Sequence, residues 1–320
     1  MLNRVFSEVE TVALKIVPRA LHYFEQVAQL GSIQAASREL GISASAILRQ
    51  ITTIEEDMGT QIFDRNTKGM TLTPTGYHLL ELARDWRLDS ARLWSTVQSE
   101  RGVEQGHITI AAMDGMVNGF VPELVKSIVS HLPRVQISID ITSPINAAKE
   151  VLNGDVDIAA VVNVPPDDNL FFHWSREFPL GCILTPSHPA AELNSIRLSE
   201  LIQHPAVFQD SSLSIRKLLE AHHGWIFEQA KDTVVVNSIQ LMKQLVASGR
   251  YLAITSEFDA GPELESGQLK FIPIADDTTF SQTFSVISNL QMPRTGIFDQ
   301  IAELTVDVLN HRVGRGHPSV

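Results

Sequence analysis

Two short stretches of this 320-residue chain gather hydrogen-bond donors at helical spacing. Ser43, Ser45, Arg49, Gln50 and Thr53 fall within eleven residues, and Ser32 stands at the start of the stretch before them. Their chemistry is recognition, not bond making. An arginine can donate bidentately to guanine or clamp a phosphate, a glutamine can read an adenine edge, and serine or threonine hydroxyls can donate to phosphate oxygens. A helix N-terminus at Ser32 adds free backbone N–H groups suited to another phosphate. Lys68, in a later polar turn, can reach the backbone or the adjacent minor groove. Reactive groups of other kinds are scarce. There is no G-x-S-x-G, H-E-x-x-H, Walker or G-x-G-x-x-G pattern, and the 11 histidines show no metal spacing. The single cysteine, Cys182, allows neither an intramolecular disulfide nor a multi-cysteine zinc site, and reads as a small buried hydrophobe. No catalytic residue, metal or cofactor is therefore expected.

The elements that must position these donors are legible from periodicity. Leu21, Phe24 and Val27 or Ala28 mark one helix, with Gly31 as its stop. Ser32 caps a second, with Ile33, Ala36 and Leu40 inward and Gly41 as the stop. The third begins at Ser43, places Ala46, Ile47, Ile51 and Ile54 inward, and ends near Met58-Gly59. The connection Gly41-Ile42 is short enough to set the second and third helices steeply across one another, a helix-turn-helix. Gln61 to Phe63, a polar turn over Asn66 to Gly69 and Met70 to Thr73 predict a hairpin wing. Thr73-Pro74 opens a helix running to about Arg101, roughly 40 Å at 1.5 Å per residue. Its apolar seam of Leu79, Leu82, Trp86, Leu93 and Val97 suits a partner helix and predicts self-association.

Beyond Gly102 to Gly106, Ile- and Val-rich runs alternate with helical stretches, the β-α-β signature of a mostly parallel sheet covered on both faces. Strands are expected at 107–113, 135–141, 156–162, 180–185, 206–209, 233–236, 251–255, 269–274 and 283–288. Helices are expected at 120–130, 145–153, 198–203, 213–222, 238–247 and 297–309. Pro165 to Asp168 and Pro273 to Thr278 read as two crossings between subdomains. Ligands of such sheets sit beyond the carboxyl ends of strands. That rule selects Asp114, Gly115, Met116, Ser143, Asn163, Gln209, Asp210, Ser211 and Ser238 as a pocket for a small-molecule effector. Serines at helix starts favour an anion, whereas Asp114 and Asp210 in the same cleft favour a ligand with amino or hydroxyl groups.

The segment SIQAASRELGISASAILRQI and the following IFDRNTKGMTLTPTG resemble the N-terminal domain of LysR-type transcriptional regulators. The residues that carry this are Ala35, Ala36, Leu40, Gly41, Ser43, Ser45, Arg49-Gln50-Ile51, Ile62 to Arg65, Leu72-Thr73 and Gly76. The likeness continues through Gly106 to Ile110, Asn153 to Ala159 and Val246 to Gly249. It implies a winged helix-turn-helix over 18–75, a dimerising linker helix over 76–104, and an effector domain over 105–320 like a periplasmic binding protein. Subdomain I would take 105–163 and 271–320, and subdomain II 164–270. Residues 1–17 form an N-terminal extension. The resemblance implies double-stranded DNA as a partner, contacted by Ser32, Gln34, Ser43, Ala44, Ser45, Arg49, Gln50, Thr53, Arg65 and Lys68. It further implies a dimer or tetramer answering to a small molecule, with RNA polymerase as a further partner. Two positions depart from the pattern: Ala44 replaces a common base-reading glutamine, and Leu48 a common serine. Specificity is then expected to lean on Arg49, Gln50, the wing and DNA shape.

Net charge is −12, and it is unevenly spread. Residues through Gln105 carry −2 and the remainder −10, so the acid lies in the predicted ligand-binding part. DNA affinity must then come from placed residues and dimer avidity, not from a broad basic field. No run of apolar residues spans a bilayer and no export signal is evident, so a cytoplasmic regulator is expected over an exported solute-binding protein. A dimeric ligand-binding adaptor with weak or lost DNA binding is the alternative.

Overall fold

The computed structural model describes residues 18–66, 69–100, 106–276, 281–292 and 296–316. The N-terminal extension, Lys68 and the 101–105 junction lie outside them. The chain divides into two compact units, split between Val103 and Glu104.

In the first unit, α1 (Arg19–Leu30), α2 (Ile33–Leu40) and α3 (Ala44–Met58) end on Gly31, Gly41 and Gly59, each in the left-handed region with φ between 63° and 66°. Glycine adopts that region without a Cβ penalty, which is what lets each helix stop within one residue. Ser32 and Ser43 cap α2 and α3 by accepting from the amides of Ala35 and Ala46, both at 3.3 Å. Leu21, Phe24, Val27, Ala36, Ile47 and Ile51 close the core, joined by Ile62, Phe63, Leu79 and Ala83. The wing is β1 (Phe63–Asn66) paired antiparallel with β2 (Gly69–Leu72), Asn66 opposite Gly69. The strands therefore extend closer to the turn than expected, because Asn66 and Gly69 pair across it. Glu55 on α3 accepts from the Ile62 amide at 3.1 Å, fastening α3 to the wing. Then α4 (Pro74–Glu100) runs for 27 residues.

The second unit holds β3 (His107–Ala112), α5 (Phe120–His131), β4 (Gln136–Ile141), α6 (Pro144–Asn153), β5 (Ile158–Val162) and β6 (Leu170–Leu184). Next come α7 (Leu198–Leu201), β7 (Ala206–Gln209), α8 (Ser214–His223), α9 (Trp225–Gln229), β8 (Thr233–Val236) and α10 (Ile239–Ala247). Finally β9 (Leu252–Ser256), α11 (Glu257–Glu265), β10 (Lys270–Pro273), β11 (Ser281–Asn289) and α12 (Gly296–Gly316) complete it. The strand path is β4-β3-β5-β11-β6-β9-β7-β8, with β10 also on β6. Parallel pairing of β3 with β4 and β5, and of β7 with β8 and β9, gives two sheet halves whose inner strands are buried while the outer β4 and β8 stay partly exposed. Ile110, Phe120, Leu124 and Ile158 fill one side of the first half, and Ala147, Val151 and Val161 the other.

The crossing from one half to the other lies inside β6. Residues up to Pro179 pair with β11, and from Leu180 onward the strand pairs with β9, with β10 joining from Gly181. The structure thus moves the first crossing from 165–168 to Pro179-Leu180, and puts 271–273 with subdomain II. The exposed Ser175, Arg176 and Glu177 interrupt the apolar run that sequence periodicity relies on, which hid the first ten residues of this strand. Helix α11 was likewise not expected, since it contains Gly261-Pro262. Cys182 lies fully buried in β6, and burial pushes its thiol up to about 12.

Candidate nucleic-acid interface and effector cleft

The donors on α3 stand on the face opposite its buried residues. Ile47 and Ile51 are fully buried, while Ser45, Arg49 and Thr53, four residues apart in turn, are exposed. Four-residue spacing stacks side chains on one helix face. Ser43 and Gln34 are exposed as well, whereas Ala44, Gln50 and Ser32 are half-buried. The hydroxyls of Ser43 and Ser45 are 3.3 Å apart at the helix start. The Thr53 hydroxyl donates to the Arg49 carbonyl at 3.0 Å, an intrahelical bond that it must exchange to reach an incoming phosphate. Arg65 sits on β1 opposite Met70 in the wing.

Along α4 the expected seam splits in two. Leu79 is buried in the core of its own unit beside Ala83, so it belongs to the helix-turn-helix and not to an outward seam. Leu82, Trp86 and Leu93 are 46%, 44% and 52% exposed, an apolar stripe without cover, and Val97 is half-buried.

In the second unit the structure brings some of the strand-end residues together and leaves others apart. Asp114, Gly115 and Met116 form a single 3₁₀ turn after β3. Asp114 Oδ2 accepts from the Ser238 hydroxyl and from the Gln240 amide, each at 3.0 Å, and its carbonyl accepts from Gln240 Nε2 at 2.9 Å. Ser238 caps α10. Asp114, from the first sheet half, therefore occupies the N-terminus of a helix in the second, where a ligand carboxylate was expected. Ser143 caps α6 and is exposed, and Ser211 is exposed after β7. Asp210 is half-buried, and bonds from the Ser212 hydroxyl and amide hold its carboxyl below the usual range, with Arg216 assisting.

One of the expected contacts is committed inside the fold. The Gln209 amide is buried and donates to the Ile254 carbonyl at 3.0 Å, joining β7 to β9, and an amide so bonded has little left for a ligand. Asn163 has φ 51° and its Oδ1 accepts from the Thr283 amide at 2.8 Å, stitching the end of β5 to β11, while the residue itself stays exposed.

Family profiles match along nearly the whole chain. "Bacterial regulatory helix-turn-helix protein, lysR family" covers residues 18–77, and "LysR substrate binding domain" covers 101–308. The chain belongs to the LysR family. A "Probable RuBisCO transcriptional regulator" of Emiliania huxleyi is 28% identical over 265 residues, 81% of this chain and 84% of the relative. Among solved structures, that of ArgP from Mycobacterium tuberculosis superposes with a TM-score of 0.61 at 18% identity, covering 91% of this chain and 96% of that one. Full-length CbnR complexed with its target DNA superposes at 0.53 with 19% identity, covering 92% and 99%. The fold is that of a LysR regulator: an N-terminal winged helix-turn-helix, and a two-subdomain α/β effector domain.

Beneath the Asp114 turn, this LysR-family chain carries a buried polar cluster that sequence reasoning missed. Asp259 Oδ2 accepts from Thr255, Ser256 and Gln282 at 2.8–3.2 Å. Burial nevertheless holds its carboxyl above the usual range, against the lowering effect of the bonds from Gln282 and Thr255 and of the charge of Lys243. Lys243 is 2% exposed and its ammonium reaches Glu263 at 2.9 Å and the Asp259 carbonyl at 2.8 Å. Asn118 donates to Glu263 at 3.3 Å, so the cluster ties β3's following loop to α11. A Cβ on Gly115 would lie 2.3 Å from Asp259 Oδ1, which is why that turn carries glycine. The signal available in the sequence was Ser256-x-x-Asp259, the pattern of a helix start, in which Ser256 accepts from the Asp259 amide.

Proposed function

We propose that this chain is a DNA-binding transcription regulator that reads its operator through α3 and the wing and answers to a small molecule held between the two sheet halves. The observation that carries the reading is the exposed row Ser45, Arg49 and Thr53 on a helix whose other face is anchored by Ile47 and Ile51. Such a helix fits the major groove with its N-terminal residues toward base edges. Arg49 is assigned the main contact, Gln50 and Ala44 the flanking base edges, Ser32, Gln34, Ser43 and Ser45 the phosphates, and Arg65 and Lys68 the wing contacts. Leu82, Trp86, Leu93 and Val97 would join two copies along α4. The functional division follows: DNA-binding over 18–75, linker helix over 76–104, effector domain thereafter.

The effector would enter near Asp114, Met116, Ser143, Ser211 and Ser238, shifting the population of oligomer shapes and with it DNA bending and access of RNA polymerase. Nothing in these groups is arranged for bond making, so the chain is assigned no catalysis and a place with the DNA in the cytoplasm. A mobility-shift titration against the upstream DNA of its own gene tests the proposal. Binding should weaken steeply as salt rises, and Arg49→Ala should weaken it about tenfold or more, in line with the roughly 1–3 kcal/mol of a base-contacting arginine. Salt-insensitive or absent DNA binding would instead support the dimeric adaptor, which Ala44 and Leu48 favour.

A further inference from the structure

Helix α11 also walls a cavity that none of Asp114, Ser143, Asp210 or Ser238 lines. Its volume is about 410 Å³, within the range of small-molecule sites. Both subdomains build it: Phe178 and Arg312 from the first, and Phe258, Phe271 and the carboxylates of Glu257 and Glu265 from the second.

The aromatic walls are held in place by packing. Phe258 lies 4.2 Å from Phe284 and 5.2 Å from Phe178 between ring centroids. Phe271 presses on Gly181, where a Cβ would come within 2.2 Å of the ring. The charges around the cavity are not equivalent. Arg312 is committed to Glu123 at 3.1 Å, and the Lys270 ammonium donates to the Ala191 carbonyl at 2.9 Å. Glu257 and Glu265 have no hydrogen-bond or ion-pair partner among the described residues. Each cation thus has a fixed partner, although the buried Arg312 Nε has none, and both carboxylates are open.

We infer that this cavity binds a small organic cation with a flat apolar body, an arylalkylamine in the simplest form, at a site separate from the Asp114 cleft. The ammonium pairs with the open carboxylates and the body lies among the phenylalanine rings, which also favour a cation near their faces. Since the walls come from both subdomains, a ligand there prefers one angle between them, which makes it a second input to the same regulator.

Calorimetric titration of the full-length protein with phenethylamine, 2-phenylethanol and 3-phenylpropionate tests this. The amine should bind tightest, and the Glu257→Gln, Glu265→Gln double variant should lose tenfold or more of that affinity while keeping its circular-dichroism melt. Leu264→Trp, which fills the cavity, should abolish binding, whereas Asp210→Asn, which removes an acid of the other cleft without touching a bond between the subdomains, should leave it unchanged. No amine binding at millimolar concentration, equal binding of the alcohol or acid, indifference to the double variant, or loss in Asp210→Asn would each overturn the assignment. DNA binding is untouched by these outcomes, so their failure is separate from that of the regulator reading.

Discussion

The Asp114 carboxylate and the Ser238 hydroxyl meet at 3.0 Å, joining the end of β3 in one subdomain to the start of α10 in the other. The same oxygen takes the Gln240 amide, so one carboxylate satisfies a helix N-terminus that would otherwise need water or a ligand. Asp114→Ala should remove about 1–3 kcal/mol of stability, the range for hydrogen bonds to a charged group. Denaturant unfolding followed by tryptophan fluorescence measures it. A variant as stable as the parent would mean that solvent replaces the carboxylate without cost.

Asp157 supplies a pH dependence. Its Oδ2 accepts from the Thr109 amide at 2.7 Å, yet burial outweighs that bond and raises its carboxyl to about 6. A raised carboxyl favours the protonated fold, so its contribution is whole below about pH 4 and lost as pH rises through 6. Asp157→Asn keeps an acceptor for Thr109 and removes the ionisation. It should gain about 1–2 kcal/mol relative to the parent on going from about pH 4.5 to 7.5, after allowing for solvent screening of a partly covered group. Paired thermal melts at the two pH values decide; parallel curves would contradict it.

The outward stripe on α4 predicts an assembly defect. Leu93→Asp, alone or with Trp86→Ala, puts a charge or a gap where two copies would meet, and should shift sedimentation toward the monomer and weaken operator binding through lost avidity. Because Leu79 lies inside its own unit, Leu79→Ala should act differently, costing roughly 2–5 kcal/mol of stability before it affects assembly.

Gly76 is fixed by a neighbour, not by its backbone angle. The Ile62 carbonyl accepts from the Thr73 amide at 3.1 Å and lies 2.1 Å from where a Gly76 Cβ would stand. Gly76→Ala must push α4 off the wing, and we expect a loss of about 1–3 kcal/mol, as for overpacking, read by circular-dichroism melting. An unchanged melt would show that the wing yields freely.

Sequence reading reached the elements whose signals are local. Ser32, Ser43, Gly31, Gly41 and Gly59 are caps and stops that act within one turn, and all bound helices as expected. The α3 face could be read because Ile47 and Ile51 recur at helical spacing. What escaped depends on partners far along the chain. Gln209 looked like a strand-end ligand contact because its acceptor, Ile254, is 45 residues away. Asp114 looked free because Gln240 is 126 residues away. Helix α11 escaped for a local reason of another kind: Gly261-Pro262 reads as a breaker, although Ser256 and Asp259 had already set the first turn.

Strand β6 belongs to both halves of the effector unit, pairing with β11 up to Pro179 and with β9 from Leu180. A slide by one residue would turn every side chain on it to the wrong face of two sheets at once. Translation of one half along the other is thereby opposed, which leaves rotation about the shared strand as the motion that a molecule bound between the halves would bias. A torsion element of this kind would turn occupancy into an angle.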